Sequence, residues 1–246
     1  MTGRFDGRVV LVTGAAGGIG LACCRAFVNE GACLVLSDLD AQALERVREE
    51  IGGGLAVAAD VTKEADGARL ISRTIEAFGS LDTIVAAAGL YHHTPVDAIG
   101  ADEWDQIQAV NVRGTFITVQ AALREMIDRR RGTVVTLGSI AGQLGGVQSG
   151  AGYVASKAAV IGMTKALARY AGPYGVRVNC VNPGFIASGM GLGMSSDDRE
   201  RTISATPLGR PGTASEVAEA VIWLASDASS FVTGAQLDVN GGLLMA

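Results

Sequence analysis

The feature that restricts the fold most is an alternation kept up along almost the whole chain. Short, nearly continuous apolar runs are each followed by a longer stretch of helical periodicity. Residues 8–13 read as a buried strand, 18–30 as a helix and Cys33–Asp38 as a second strand, with glycines where one period gives way to the other. Helix-like Ala41–Glu50, an apolar run 55–59 closing on Asp60, helix-like Glu64–Phe78 and a strand-like run 83–87 follow. A long helical region over 102–128, a valine-rich strand 133–137, a helix over Ala151–Ala171, a strand 176–181, a helix Ala214–Ala225 and a last strand 235–239 complete the series. Strands apolar on both sides and separated by helices belong in a mostly parallel sheet covered on both faces. The expected fold is therefore α/β: a three-layer, doubly wound, mostly parallel sheet in a single domain, 1–246. Ligands of such sheets bind beyond the strand C-termini, so the residues that follow each strand carry the search for a site.

Composition narrows the function classes. The formal charge of -5 argues against a nucleic-acid partner, and the one dense basic run, 129–131, precedes Gly132 as the end of a helix would. No stretch reads as a secretory signal and no apolar run approaches the roughly 20 residues that cross a membrane, so a cytoplasmic protein without a membrane partner is expected. Cys23, Cys24, Cys33 and Cys180 lack zinc-knuckle spacing, and His92 and His93 stand together without a recognisable acid or thiol partner, so no metal is expected.

The stretch TGAAGGIG, residues 13–20, follows the first strand and opens the first helix. Glycines there allow a tight turn and close backbone approach, and a helix N-terminus directs its free N–H groups at a pyrophosphate. The spacing is not G-x-G-x-x-G, and no G-K-[ST] follows to make a triphosphate loop. Asp38 ends the second strand, where a carboxylate can accept from both hydroxyls of an adenosine ribose and would repel a 2′-phosphate. With no Arg or Lys over 37–40, NAD is expected rather than NADP. A helix-capping role for Asp38 and a turn role for Asp60 are the plain alternatives.

Farther along stand Asn111 in VNVRG, Ser139 in LGSIAG, Tyr153 and Lys157 in a Y-x-x-x-K spacing, and NPG at 182–184. With the glycine turn, these motifs in this order resemble the short-chain dehydrogenase/reductase family over essentially the whole chain, with a Rossmann-like fold. The resemblance is to its 3-oxoacyl-carrier-protein reductase-like branch, with the acidic Asp38 as an NAD-type departure. It implies a catalytic set of Asn111, Ser139, Tyr153 and Lys157. Tyr153 would exchange the proton on the substrate oxygen, which Ser139 would hold. Lys157 would favour the phenolate and bind the nicotinamide ribose, and Asn111 would support a water through a local helix distortion. It further implies a cofactor lying along Thr13, Gly14, Gly17, Gly18, Ile19, Gly20, Asp38, Leu39, Asp60, Val61, Ala88, Gly89, Tyr153, Lys157, Pro183, Gly184, Ile186 and Ser188. The family's Asn-Asn-Ala-Gly is here Ala86-Ala87-Ala88-Gly89, which removes side chains that brace the central strands. The resemblance also implies a homotetramer, or else a homodimer.

The substrate is expected against Ser139, Gln143, Leu144, Tyr153 and Phe185, with His92, His93, Val147 and 188–194 nearby. That mixture is mostly apolar with few fixed charges and suits a neutral secondary alcohol or its ketone. Glycines and methionines over 189–194 suggest an adaptable lid at about 184–205. Two other readings stand beside this one: an NADPH-dependent reductase of 3-oxoacyl thioesters, suggested by resemblance to 3-oxoacyl-carrier-protein reductases in the PLGRPG and VTG segments, and a nicotinamide-binding sensor without turnover.

Overall fold

The computed structural model describes residues 3–146, 149–189 and 195–245. Seven strands form one parallel sheet in the order β3-β2-β1-β4-β5-β6-β7: β1 (Val9–Thr13), β2 (Cys33–Asp38), β3 (Leu55–Ala58), β4 (Thr83–Ala86), β5 (Gly132–Leu137), β6 (Val176–Pro183) and β7 (Gln236–Val239). From β1 the chain winds outward through β2 and β3, then returns to place β4 on the other side of β1. The crevice at that reversal lies beyond the ends of β1 and β4, where Gly14 and Ala87 begin.

The two faces of the sheet explain why β1 is apolar throughout. Val10 and Val12 belong to one buried cluster with Phe27, Val217 and Val221, on the side of α1 (Gly18–Asn29) and α9 (Ala214–Ala225). Val9 and Leu11 point the other way, into a cluster with Leu70, Val119 and Leu167. That second face is covered by α3 (Glu64–Phe78), α5 (Thr115–Asp128) and α7 (Ala151–Ala171). A period of two along the strand thus feeds two cores. The cysteines are free, and Cys23, Cys24 and Cys180 are buried. Among the described residues no helix is long and apolar enough to cross a membrane.

Three local departures from the sequence expectation bear on the site. The helical region 102–128 divides into α4 (Ala101–Gln108), a π-helical turn at Ala109–Gly114 and α5. A π-turn adds a residue to the helical repeat and re-aims the side chains around it. Here Gly114 lets the turn press against Val61, whose Cγ2 would lie 2.7 Å from a Cβ at that position. A four-residue helix, α6 (Ala141–Leu144), follows β5.

The third departure falls in the expected lid. Residues 190–194 and Val147 lie outside the described residues, and Ser196–Ala205 forms a helix, α8. Ser195 caps it by accepting from Asp198 N at 3.2 Å, with Asp197 and Asp198 in the first turn. Ser195 and the acids at 197 and 198 are helix-starting residues.

Candidate active site

A cleft of about 770 Å³ runs along the C-terminal ends of the strands, from Gly14 and Asp38 past Ser139, Tyr153 and Lys157 to Thr202 and Leu243. At its nucleotide end Gly14 turns with φ +67°, and Ala15 N donates to the Ser37 carbonyl at 3.0 Å. A Cβ on Gly14 would stand 2.8 Å from Ala88 N and Cα, and one on Gly20 would stand 2.0 Å from the Gly14 carbonyl oxygen. These glycines are needed for backbone packing before any ligand is considered. Helix α1 then starts with no side-chain cap at Gly17 and no acid in its first turn, and Gly17, Gly18, Ile19 and Gly20 line the cleft. An uncapped helix start facing a cavity is matched to an anion.

Asp38 lines the same end, its Oδ2 accepting from Ala16 N at 3.0 Å. The cap of α2 (Ala41–Glu50) is Asp40, which accepts from Gln42 N and Ala43 N, so the capping alternative for Asp38 is set aside. Asp60 does hold a turn: it accepts from Thr62 N at 3.0 Å and Thr62 Oγ1 at 2.7 Å while also lining the cleft. The Thr62 hydroxyl is the main reason its carboxyl lies below the usual range, with Lys63 adding to it. Glycine turn, free helix start and cleft-lining acid together fit a nicotinamide dinucleotide. Leu39, Val61, Ala88, Gly89, Pro183, Gly184, Ile186 and Ser188 also line the cleft, whereas buried Thr13 does not; its hydroxyl braces Ala88 N at 3.3 Å.

At the chemical end, Ser139 follows β5 and its Oγ accepts from Ala141 N at 3.1 Å. Tyr153 and Lys157 rise from the first two turns of α7, one turn apart, and both are buried. The Ser139 side chain faces the Tyr153 phenol and favours its charged form, and the Tyr153 ring lies edge-to-face against Tyr91 with centroids 4.9 Å apart. Lys157 Nζ donates to the Leu137 carbonyl at 2.8 Å and lies 5.6 Å from the Tyr153 ring centroid.

The expectation that Lys157 lowers the Tyr153 pKa does not describe the protein alone. Burial pushes Tyr153 up to about 12 against the opposing pull of the Ser139 side chain, with Tyr91 adding to the rise. Burial also pulls Lys157 down to about 8. Desolvation disfavours both charged forms and outweighs the short-range help each receives.

A stability consequence follows for Lys157. Its folded pKa is depressed, so the folded state binds fewer protons than the unfolded one between the two values, and stability rises with pH there. The melting temperature of the protein without cofactor is expected to climb as pH passes from about 8 toward 10, measured by calorimetry. Lys157→Met removes that climb.

Asn111 sits in the π-turn and does not line the cleft. Its carboxamide pins the segment after β4, accepting from Leu90 N at 2.7 Å and donating to the Leu90 carbonyl at 2.9 Å. Its own carbonyl accepts from Thr115 Oγ1 at 2.8 Å. The helix distortion expected around it is present. The Ala86-Ala87-Ala88-Gly89 stretch is held by this clamp and by Thr13 in place of its own side chains.

On the substrate side, Leu144 and Phe185 line the cleft. Gln143 does not: its exposed amide donates to Asp238 Oδ1 at 2.9 Å, which corrects its expected place at the substrate. His92 and His93 are not among the lining residues either, and His92 Nδ1 lies 3.7 Å from Glu103 Oε1, an acid partner the sequence did not reveal. Sequence reasoning missed Tyr91, Gln106, Val110, Arg201, Thr202 and Leu243 in the wall. Tyr91 had a signal, standing two residues beyond Gly89. The others reach the cleft from helix faces and the chain end, which only packing brings together.

The family model described as enoyl-(acyl carrier protein) reductase matches residues 14–244. The chain belongs to the short-chain dehydrogenase/reductase family. This short-chain dehydrogenase/reductase is 42% identical to 2-(S)-hydroxypropyl-CoM dehydrogenase 3 of Xanthobacter autotrophicus, covering 99% of each chain. It is also 42% identical to galactitol 2-dehydrogenase (L-tagatose-forming) of Cereibacter sphaeroides, over 97% of this chain and 96% of that one. A solved 3-oxoacyl-[acyl-carrier protein] reductase from Brucella melitensis with bound NAD superposes with a TM-score of 0.90 at 37% identity, covering 100% of this chain and 94% of that one. The protein is thus an oxidoreductase of a family that binds a nicotinamide cofactor.

Proposed function

We propose that the protein moves a hydride between a neutral secondary alcohol, or the matching ketone, and NAD, with Tyr153 as general acid and base. The observation that carries this reading is the Tyr153 phenol beside Ser139, in the same cleft that holds the glycine turn and Asp38. Bound nicotinamide supplies the two-electron hydride acceptor in oxidation and the donor in reduction. Ser139 holds the carbinol oxygen. In oxidation Tyr153, as the phenolate, takes the hydroxyl proton at Oη while the carbon–oxygen double bond forms, and in reduction the phenol returns it. Protonated Lys157 is the positive charge near the ring that favours the phenolate, which must be brought down from about 12 for work near neutrality. Apolar wall residues such as Val110, Leu144 and Phe185 would cover the rest of the alcohol and keep water out.

Asp38 supports NAD over NADP. The lining cations, Lys157 and Arg201, come from α7 and α8, away from β2 where Asp38 stands. The test is a spectrophotometric screen with both cofactors across steroid, cyclic, polyol and 3-oxoacyl substrates. NAD is expected to give the higher kcat/KM, and Asp38→Ser is expected to cut that preference by about tenfold or more, from lost hydrogen bonds and relieved repulsion. Bound NAD with no turnover of any substrate would favour the sensor reading instead.

One observation favours a second reading, reduction of 3-oxoacyl thioesters. The Brucella melitensis reductase that this chain resembles carries NAD, so a preference for NAD does not separate the two substrate classes. Docking of an acidic carrier at 129–131 draws little support: Arg130 donates to the Pro173 carbonyl at 3.0 Å, and Arg131 lies 3.6 Å from Asp82. A homotetramer, or failing that a homodimer, belongs to the main reading. Exposed Leu208, Phe231 and Met245 offer apolar surface for it. A cytoplasmic setting goes with the same reading.

A further inference from the structure

The segment between β4 and α4 is tied to the start of α7 at two points, one on either side of Tyr91. Leu90 is gripped through both main-chain groups by Asn111, and the same Asn111 Nδ2 donates to Ser156 Oγ at 3.0 Å. Ser156 Oγ in turn donates to the Tyr153 carbonyl at 2.7 Å. Two residues beyond Leu90, the His92 carbonyl accepts from Gly150 N at 3.3 Å. Gly150 is the N-cap of α7, and a Cβ there would stand 3.1 Å from the carbonyl oxygens of His92 and Thr94, so the two segments meet backbone to backbone. Tyr91 stands between these two ties. Its ring lines the cleft and meets the Tyr153 ring at 84° with centroids 4.9 Å apart.

We propose that Tyr91 is a positioning residue whose ring, held between backbone anchors at Leu90 and His92, fixes the plane of the Tyr153 ring and limits water access to it. The inference rests on the reading of Tyr153 as the proton handler. An edge-to-face pair resists rotation of either ring, because turning one drives it into the other. Proton exchange needs the phenol oxygen held against a substrate oxygen, and small errors in that placement cost much of the rate. Tyr153 is only 9% exposed, and the Tyr91 ring is part of its cover. The burial that raises the Tyr153 pKa is the same burial.

Tyr91→Phe, Tyr91→Leu and Tyr91→Ala in the full chain test this, with NAD and the best alcohol from the screen. The Phe variant keeps the ring and is expected to hold kcat within about twofold of wild type, while Leu and Ala lower kcat by about tenfold or more. In the Leu and Ala variants KM for NAD stays unchanged, and the acid limb of the kcat/KM profile moves to lower pH as water reaches Tyr153. A purely structural role would lower stability and leave that limb in place. A second measurement needs no turnover: the tyrosine 13Cζ resonance of Tyr153, assigned by its loss in Tyr153→Phe, is titrated in wild type and Tyr91→Leu. Ionisation at lower pH in Tyr91→Leu supports the proposal. An unshifted titration with unchanged kcat overturns it, as does a Phe variant as impaired as Leu. Should Tyr153→Phe keep full turnover, the proton-transfer reading fails, and the titration still decides whether Tyr91 shields Tyr153. If Tyr91→Ala does not fold, Tyr91→Leu carries the comparison.

Discussion

Replacing Tyr153 by Phe is expected to lower kcat by about 10³-fold, the scale of a positioned proton donor and acceptor. The protein should remain folded and bind NAD, because the substitution removes one oxygen and leaves the ring in its contact with Tyr91. Ser139, beside the lost oxygen, keeps its bond from Ala141 N. The α1 turn and Asp38, which would hold the dinucleotide, are untouched. Steady-state turnover beside NAD titration by fluorescence separates the two effects. Loss of binding along with turnover would point to a structural tyrosine, and full turnover would remove Tyr153 from the mechanism.

The second large effect is expected at the other end of the cleft. Gly14 turns with φ +67° and packs against the backbone of Ala87 and Ala88, where an added Cβ would approach to 2.8 Å. Gly14→Ala meets two penalties at once. Left-handed backbone costs a residue with a Cβ about 1–2 kcal/mol, and relief of the overlap requires a shift of β1 against the turn after β4. A fall in melting temperature of roughly 6–12 °C is expected for a loss of about 3 kcal/mol in a chain of this size. Because the same turn sets the N-terminus of α1, NAD affinity should fall by about tenfold or more. Calorimetry and NAD titration read these separately. An unchanged melting temperature would show that the turn relaxes freely, which the contact with Ala88 argues against.

Much of the architecture was legible because it rests on local periodicity. Ala41–Glu50, Glu64–Phe78, Ala151–Ala171 and Ala214–Ala225 come out with the limits their apolar patterns indicate, since each face meets one side of one sheet. The family resemblance implied a helix distortion at Asn111, but its form as a π-turn over Ala109–Gly114, clamped to Leu90 21 residues away, was not legible from periodicity. The helix Ser196–Ala205 was legible in principle, through its Ser195 cap and following acids, and was obscured by the glycines before it. Gln143 shows the limit for side chains. Its place after Ser139 put it beside the substrate, and an acid on β7, Asp238, takes its amide away.

The sequence by itself determined the parallel α/β layering, the glycine turn before α1, the acid at the end of β2 and the helical spacing of Tyr153 and Lys157. These are properties of neighbours within a few residues, where chain geometry leaves little choice. Only the tertiary structure decided the charge balance at the reaction site, because desolvation depends on everything packed around a group. Burial holds Tyr153 near 12 and Lys157 near 8, the reverse of what the bare pair suggests. The tertiary structure also brought Tyr91 from the segment after β4 against Tyr153 from α7, a meeting of rings 62 residues apart that no local pattern encodes.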